Sequence, residues 1–148
     1  MLTLRKSATL AFLAIVAIVL GGCDEDAAPD AKPLADKAVM TMDLVNIQYS
    51  FKNGRHTYGH IRRFAESAGL GVTLIKGRVC VHNGEECAES LVTYRIEAGA
   101  VLDQPNHYVA TKLAADVITI EYSGKDDNGN PVVMRRTVRV DNKTATVE

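Results

Sequence analysis

Hydrophobic and polar positions alternate with a period of two through most of the second half of the chain. Five short segments carry this alternation, are rich in β-branched residues and are bounded by turn residues, and these features predict strands. They are residues 72–82, 90–97, 107–112, 116–123 and 131–140. Several short strands in succession are typical of a β-sandwich or barrel. The pattern therefore predicts a mainly β fold for this part of the chain.

The pattern before residue 70 fits two structures. Apolar residues over residues 40–51 fit a helical stripe, but apolar and polar residues also alternate from Val45 to Phe51, which favours a strand over residues 44–51. Asn53-Gly54 follows as a hairpin signal. Apolar residues recur at helical spacing over residues 57–68, and Gly69 provides a stop, so that we expect a short helix there.

The segment Asp126 to Asn130 joins the last two predicted strands. It reads Asp-Asp-Asn-Gly-Asn and superficially resembles a calcium loop. Its carboxylates do not alternate, and Thr137 stands where a bidentate Glu would close a twelve-residue calcium loop. The composition therefore favours a turn.

Two arginine pairs are expected mostly on solvated faces. They are Arg62-Arg63 and Arg135-Arg136. Met134, Val138 and Val140 share one face of the last predicted strand, and Arg136 falls on that apolar face. We therefore expect Arg136 to lie at an edge or to pair with a carboxylate.

The first residues have the composition of a secretory signal peptide. Arg5 and Lys6 form a positive n-region, and residues 8–20 form a 13-residue run that is apolar except at Thr9. This run is shorter than the roughly 20 residues that a membrane-spanning helix needs. It ends in Leu20-Gly21-Gly22-Cys23, which resembles the lipobox of bacterial lipoproteins.

This resemblance implies cleavage after Gly22 and a mature chain that begins at an acylated Cys23. The signal peptide is then residues 1–22. An ordinary signal peptide with an incidental cysteine is the alternative reading. Asp24 resembles the inner-membrane retention signal of enterobacterial lipoproteins, so that an inner-membrane location is expected over an outer-membrane one.

The net charge of the chain is confined to a short segment. Residues 24–37 hold five acidic and two basic residues, whereas residues 38–148 hold 13 of each. The acidic, Ala- and Pro-containing segment is expected to be a tether over residues 23–37 that precedes a single folded domain at residues 38–148. A balanced domain has no overall field that would attract nucleic acid.

Cys80 and Cys87 flank an Asn83-Gly84 turn. With Cys23 assigned to lipid, these two are the remaining cysteines in an oxidising compartment. A two-residue turn at Asn83-Gly84 would place His82 opposite Glu85 and Cys80 opposite Cys87. Directly opposed residues lie within disulfide range, so that a Cys80–Cys87 disulfide is expected.

Two other roles for the cysteines are disfavoured. Cys80, His82 and Cys87 could share a face as metal ligands, but the pattern lacks a fourth ligand and paired zinc-site spacing. A redox-active pair is disfavoured because the chain has no Cys-x-x-Cys at a helix start.

His56 and His60 are four residues apart, as metal ligands on a helix can be. Gly59 weakens a helix between them, and no Glu follows His56. Two exposed histidines are therefore favoured over a metal site, and no cofactor is expected. The chain has no nucleophile elbow and no phosphate loop, so that no catalytic residue is assigned and an enzyme is not expected.

Residues 116–140 resemble the closing hairpin of bacterial immunoglobulin-like surface modules. The matching parts are a Tyr-containing strand ending at Ser123, the turn at residues 126–130 and Arg136-Thr137-Val138-Arg139-Val140. The resemblance implies an immunoglobulin-like β-sandwich over about residues 70–140. A small hairpin or helix element would precede it, and an α+β fold with a single antiparallel sheet is the alternative.

Together these features predict a lipid-anchored lipoprotein of the bacterial cell envelope, on the periplasmic side of its membrane. Its domain would be a non-enzymatic binding or accessory module for another envelope or secreted protein. A structural spacer without its own ligand and, less favoured, a metal-dependent enzyme are the alternatives.

Overall fold

The computed structural model describes residues 35–148, and about three quarters of them lie in eight strands. The strands are β1 (Met40–Lys52), β2 (Arg55–Glu66), β3 (Val72–Val81), β4 (Glu86–Ile96), β5 (Val101–Thr111), β6 (Ala115–Asp126), β7 (Pro131–Asp141) and β8 (Thr144–Val147). The predicted signal peptide, Cys23, Asp24 and the tether up to residue 34 lie outside the described residues. Within the described range no helix combines the length and hydropathy that crossing a bilayer requires.

The strands form two antiparallel sheets. The first sheet has the order β1-β2-β5, and the second has the order β4-β3-β6-β7-β8. Both sheets contribute to one apolar core, since Phe64 and Tyr58 of the first sheet and Leu74, Ile118 and Ile120 of the second belong to the same buried cluster. The two sheets therefore pack face to face in a sandwich-like arrangement.

The alternation in the sequence accounts for this core. In β6, Ile118, Ile120 and Tyr122 are at most 2% exposed, whereas the intervening residues are more exposed. In β7, Met134, Val138 and Val140 are buried on one face, as predicted. The mainly β fold and all five strands predicted after residue 71 are confirmed.

Two expectations for the fold are wrong. Residues 57–68 form β2 and its exit, not a helix, because the tertiary structure pairs them with β1 on one side and β5 on the other. The single-sheet α+β alternative is wrong because the strands divide between two sheets. The four-residue strand β8, which pairs with the end of β7, was not predicted.

A bulge in β1 explains why the sequence pattern there was ambiguous. Val45 pairs with Ile61 and Gln48 pairs with Gly59, so that Asn46 and Ile47 oppose one residue of β2. Asn46 has a φ of 56°, a left-handed conformation that Asn tolerates better than most residues. Met42 and Leu44 face the core before the bulge, and Ile47 and Tyr49 pack against it afterwards. The predicted strand at residues 44–51 is confirmed. The alternation placed Val45 on the same face as Ile47 and Tyr49, but the bulge puts it on the opposite face.

Three buried carboxylates hold the loops at the two ends of the domain. Glu66 accepts five backbone N–H bonds, from Val39, Ala68, Gly69, Leu70 and Gly99. Asp126 caps the predicted turn by accepting the N–H groups of Asn128 and Asn130, and that turn is confirmed. At the opposite end, Asp116 accepts the N–H groups of His82 and Asn83.

The domain begins slightly before the predicted end of the tether. Asn128 and Asn130 donate side-chain hydrogen bonds to the carbonyl of Asp36, over 3.2 and 2.8 Å. The backbone N–H of Ala38 donates to Asp126 over 3.1 Å. The chain therefore enters the domain at the end that carries the β6–β7 turn.

Replacing Gly124 by Ala is expected to destabilise the protein by at least about 2 kcal/mol. A Cβ atom on Gly124 would lie 2.7 Å from the Cα of Leu74, so that the backbone of β3 would have to move. Gly59→Ala is the matched control, because its Cβ would meet nothing nearer than 3.8 Å. We expect the control to change the free energy of unfolding by less than about 1 kcal/mol. Urea denaturation of both variants measures the difference, and equal effects would contradict the close approach.

Candidate functional site

A cleft lies between the two sheets where their edge strands β4 and β5 face each other. Its volume is about 520 Å³, which is within the range of about 300–1,000 Å³ found for small-ligand pockets. Apolar side chains form its walls, and they are Val79, Val81, Val92 and Val109. Gly77, Ala88 and Ser90 also line it, and the small side chains of Ala88 and Ser90 leave part of the space between the sheets unfilled.

Arg62 lies in the inner part of this cleft and is the strongest feature of the site. It projects from the inner face of β2 and is 5% exposed. Its Nε donates to Nε2 of His60 over 3.2 Å, and its Nη1 donates to the hydroxyl of Tyr122. Within residues 35–148, no carboxylate forms a salt bridge with Arg62.

A guanidinium in this position is unusual because buried charges are generally paired with an opposite charge. The Arg62 Cζ lies 5.4 Å from the centre of the Tyr122 ring, which provides a cation–π contact. The two hydrogen bonds use two of the five N–H donors of a guanidinium. Arg62 therefore retains both its positive charge and hydrogen-bonding capacity in a cleft with apolar walls.

Aromatic side chains surround Arg62 on the side of the edge strands. Tyr94 packs against Tyr122 with ring centres 5.9 Å apart, and its hydroxyl lies 3.5 Å from Nε2 of His107. His107 in turn stacks on His60, with ring centres 6.5 Å apart. These groups come from β2, β4, β5 and β6, so that only the packing of both sheets brings them together.

Bulges in both neighbours of β2 lie beside this cluster. β1 has its extra residue opposite His60, and β5 has its extra residue at Pro105-Asn106, opposite Ile61. Bulges of this kind re-aim side chains and are common next to functional sites. They flank the strand segment that presents His60 and Arg62 to the interior.

The two histidines of the cluster are held in the neutral form. Burial lowers the pKa of His60 to about 4, and the charge of Arg62 acts in the same direction. Burial also lowers the pKa of His107, again with a smaller contribution from Arg62. Neutral His60 can accept the hydrogen bond from Arg62 while its Nδ1 donates to the carbonyl of Tyr58 over 3.0 Å.

The structure does not place His56 and His60 in a common metal site. Both ring nitrogens of His60 take part in hydrogen bonds, and the Nδ1 of His56 lies 3.1 Å from the hydroxyl of Tyr49. In the part of the chain that the structure describes, no group of three or more His, Cys, Asp or Glu residues is arranged to hold a metal ion. The expectation that both histidines are exposed is wrong for His60, which is 5% exposed.

Cys80 and Cys87 lie opposite each other and are joined by a disulfide, with their Cα atoms 4.0 Å apart. The predicted two-residue turn is replaced by a 3₁₀ turn at His82–Gly84, and the ladder ends at Val81 and Glu86. The Asp116 carboxylate accepts the first two N–H groups of this longer turn. The register of the cysteines is nevertheless the predicted one, and Cys87 lines the outer end of the cleft.

In each predicted arginine pair, the two side chains lie on opposite faces of the strand. Arg63 is exposed and forms a bidentate pair with Asp103, over 2.8 and 2.7 Å. Its neighbour Arg62 is buried, so that the expectation of a solvated face is wrong for Arg62. Arg136 pairs with Asp43 of the other sheet over 3.3 Å, and its predicted carboxylate partner is thereby confirmed.

The site formed by Arg62, Tyr94, His107 and Tyr122 was not predicted from the sequence. The available signal was the alternation of β2, in which Tyr58, His60, Arg62 and Phe64 share one face. The predicted helix at residues 57–68 concealed this signal. Polar residues on the same strand face as Tyr58 and Phe64 would have indicated a buried polar cluster.

A second concave surface lies on the outer face of the first sheet and encloses about 940 Å³. Asn46, Gln48, Ser50, Thr57 and Tyr108 contribute to its polar lining. It has no counterpart of the buried, unpaired charge in the cleft. The cleft is therefore the better candidate for a binding site.

Comparisons with known proteins show likeness in fold only. No family model matches this chain. No curated protein matches it either. Its structure is similar to the crystal structure of a Bordetella pertussis protein given the name ApaA, with a TM-score of 0.52 and 10% identity over 75% of this chain and 93% of that chain. The X-ray structure of Northeast Structural Genomics Consortium target SoR45 gives a TM-score of 0.47 and 9% identity, over 71% of this chain and 85% of that chain.

Lowering the pH from 7 to 5 is expected to reduce the stability of the protein. In the unfolded chain His60 takes up a proton below pH 6.5, whereas in the native state it does so only near pH 4. The unfolded state thus binds more protons between these values, and His60 alone accounts for a loss of about 2 kcal/mol by pH 5. Denaturant unfolding at a series of pH values measures this loss.

His60→Gln is the control for this prediction, because Gln can accept the Arg62 hydrogen bond but does not titrate. The variant should lose less stability between pH 7 and 5 than the natural chain does. The lowered pKa of His107 remains in both proteins and acts in the same direction. Identical pH profiles for the two proteins would contradict the assignment to His60.

Proposed function

We propose that this protein is a lipid-anchored lipoprotein of a bacterial cell envelope whose domain is a non-enzymatic binding module for another envelope or secreted protein. The observation that supports binding is the inter-sheet cleft with the buried Arg62, which forms no salt bridge within the described part of the chain. A concave, largely apolar site with a few convergent polar groups is the usual form of a binding pocket. The lipobox resemblance at Leu20 to Cys23 supports the anchor.

The direction in which the chain enters the domain supports this proposal. Asp36 and Ala38 bind the β6–β7 turn, next to the beginning of β3, whereas the cleft includes the end of β3 at Val79 and Val81. The described chain therefore enters the domain at one end, and the valine walls contributed by β3 lie toward the other.

We infer that residues 70–140 have an immunoglobulin-like arrangement. The β6–β7 hairpin with its Asp126 turn supports it, as does the placement of β5 in the first sheet and of β3, β4, β6 and β7 in the second. The sandwich is completed by β1 and β2, which precede this range. In many such modules binding surfaces lie on loops and edges, which agrees with a cleft bordered by two edge strands.

The surface favours a binding module over a spacer without a ligand. Tyr108 on the rim of the cleft is 65% exposed, and Leu91 on β4 is 90% exposed. A metal-dependent enzyme has less support, because His60 uses both ring nitrogens in hydrogen bonds within the protein.

The anchor is tested by labelling cells with an alkyne analogue of palmitate and separating their membranes. We expect the natural chain to be labelled and to sediment with the membranes, with the inner membrane favoured by Asp24. Cys23→Ser should be unlabelled and soluble. A Cys80→Ser, Cys87→Ser double variant should keep the label, since only Cys23 is proposed to be acylated. Equal labelling of Cys23→Ser would contradict the lipobox assignment.

Binding is tested by placing a photo-crosslinking amino acid at Tyr108 in the anchored protein within cells. We expect a discrete adduct with one envelope protein, because Tyr108 lies on edge strand β5 between the cleft and the outer face of the first sheet and lines both surfaces. Val133, which is 64% exposed on the outer face of the second sheet, is the control position and should give no such adduct. The same set of adducts from both positions would argue for a spacer.

A further inference from the structure

The cleft is bordered by the two strand edges that lie nearest to Arg62. β5 is an edge of the first sheet, β4 is an edge of the second, and residues 97–100 join them. On an edge strand, the backbone N–H and C=O groups on the outer side have no strand partner. A peptide in extended conformation can bind to such an edge and place alternate side chains on one side.

The charge balance of the cleft limits what can occupy it. Arg62 contributes one positive charge without a carboxylate partner in the described residues. Arg55 also lines the cleft and forms no salt bridge in the described residues, while Glu86 lies 3.1 Å from the His82 ring and Glu89 pairs with Lys76 over 2.8 Å. An anionic group on a ligand would therefore pair with the buried guanidinium of Arg62.

The geometry of a guanidinium favours a carboxylate as that ligand. Arg62 retains N–H donors beyond those bound to His60 and Tyr122, and a carboxylate can accept two parallel bonds from a guanidinium. The walls of Val79, Val81, Val92 and Val109 match aliphatic side chains of modest size. A charged head at Arg62 and an apolar body along the walls describe the required ligand.

We propose that the cleft captures the C-terminus of a partner polypeptide, with the terminal carboxylate at Arg62 and the apolar side chains of the last and third-last residues against the valine walls. A small carboxylate could pair with Arg62, but it has no peptide backbone. An extended C-terminus has backbone N–H and C=O groups that can hydrogen-bond to the free edge of β4 or β5. This inference rests on the proposed function, since it specifies how the module binds its partner.

The test uses the full chain carrying Cys23→Ser, which removes the proposed acylation site. The probe is a fluorescein-labelled hexapeptide that ends in Val-Thr-Val with a free carboxylate, and its binding is followed by fluorescence anisotropy. The same peptide with a C-terminal amide is the matched ligand. We expect the amide to bind at least about tenfold more weakly, because it lacks the charge that pairs with Arg62.

Arg62→Met and its neighbour Arg63→Met provide the matched protein variants. Arg62→Met should weaken binding of the free acid to the level of the amide and abolish the difference between the two peptides. Arg63→Met should bind like the parent, because Arg63 lies on the outer face and pairs with Asp103. Arg62→Met should also fold, since an apolar side chain replaces a buried charge that lacks a carboxylate partner.

A second variant keeps the test decisive if Arg62→Met is unfolded. Ala88→Phe places a ring in the cleft from the exposed edge strand and leaves Arg62 unchanged, and it should abolish binding of the free acid. The inference is wrong if acid and amide bind equally, if neither binds, if Arg62→Met still distinguishes them, or if octanoate displaces the peptide at equal concentration. In each case, crosslinking at Tyr108 and acylation of Cys23 would still test the proposed function separately.

Discussion

The packing of Tyr122 between the two sheets is the contact on which the rest of the domain depends. Its ring meets Phe64 of the first sheet edge-on at 5.0 Å, and its hydroxyl accepts a hydrogen bond from Arg62. Gly77 makes room for it, because a Cβ there would lie 2.9 Å from the ring. Neither sheet can bury its apolar face alone, so that the residues that join them determine both the core and the shape of the cleft.

Buried carboxylates hold the loops of the domain by accepting hydrogen bonds from backbone N–H groups. Burial alone would raise the pKa of Glu66, but the N–H groups of Gly99, Ala68, Gly69 and Val39 hold that pKa below its ordinary value. The same balance applies to Asp116, whose donors include His82 and Asn83. Each of these carboxylates is satisfied by backbone donors, whereas Arg62 has no counter-charge among residues 35–148. This contrast sets the cleft apart from the structural polar groups of the domain.

Features of the fold that depend on residues close together in the sequence could be predicted, whereas features that depend on contacts between distant segments could not. The turn chemistry of Asn83-Gly84 gave the Cys80–Cys87 register even though the turn itself is longer, because both turns preserve the pairing of the strands. The phase of β1 could not be predicted, because the bulge at Asn46 reverses which side chains face inward. The candidate site could not be assembled from sequence, because Arg62 and Tyr122 lie on different sheets.

The sequence by itself determined the mainly β character, most of the strands, and the hairpin that places Cys80 opposite Cys87. It also indicated a carboxylate as a partner of Arg136. These features follow from alternation and turn residues, which act over a few positions. Only the tertiary structure decided that residues 57–68 form a central strand, since pairing with β1 and β5 outweighs a helical spacing of apolar residues. It also decided that Arg62 is buried and Arg63 exposed, because a strand sends adjacent side chains to opposite faces and only the second sheet covers one of them.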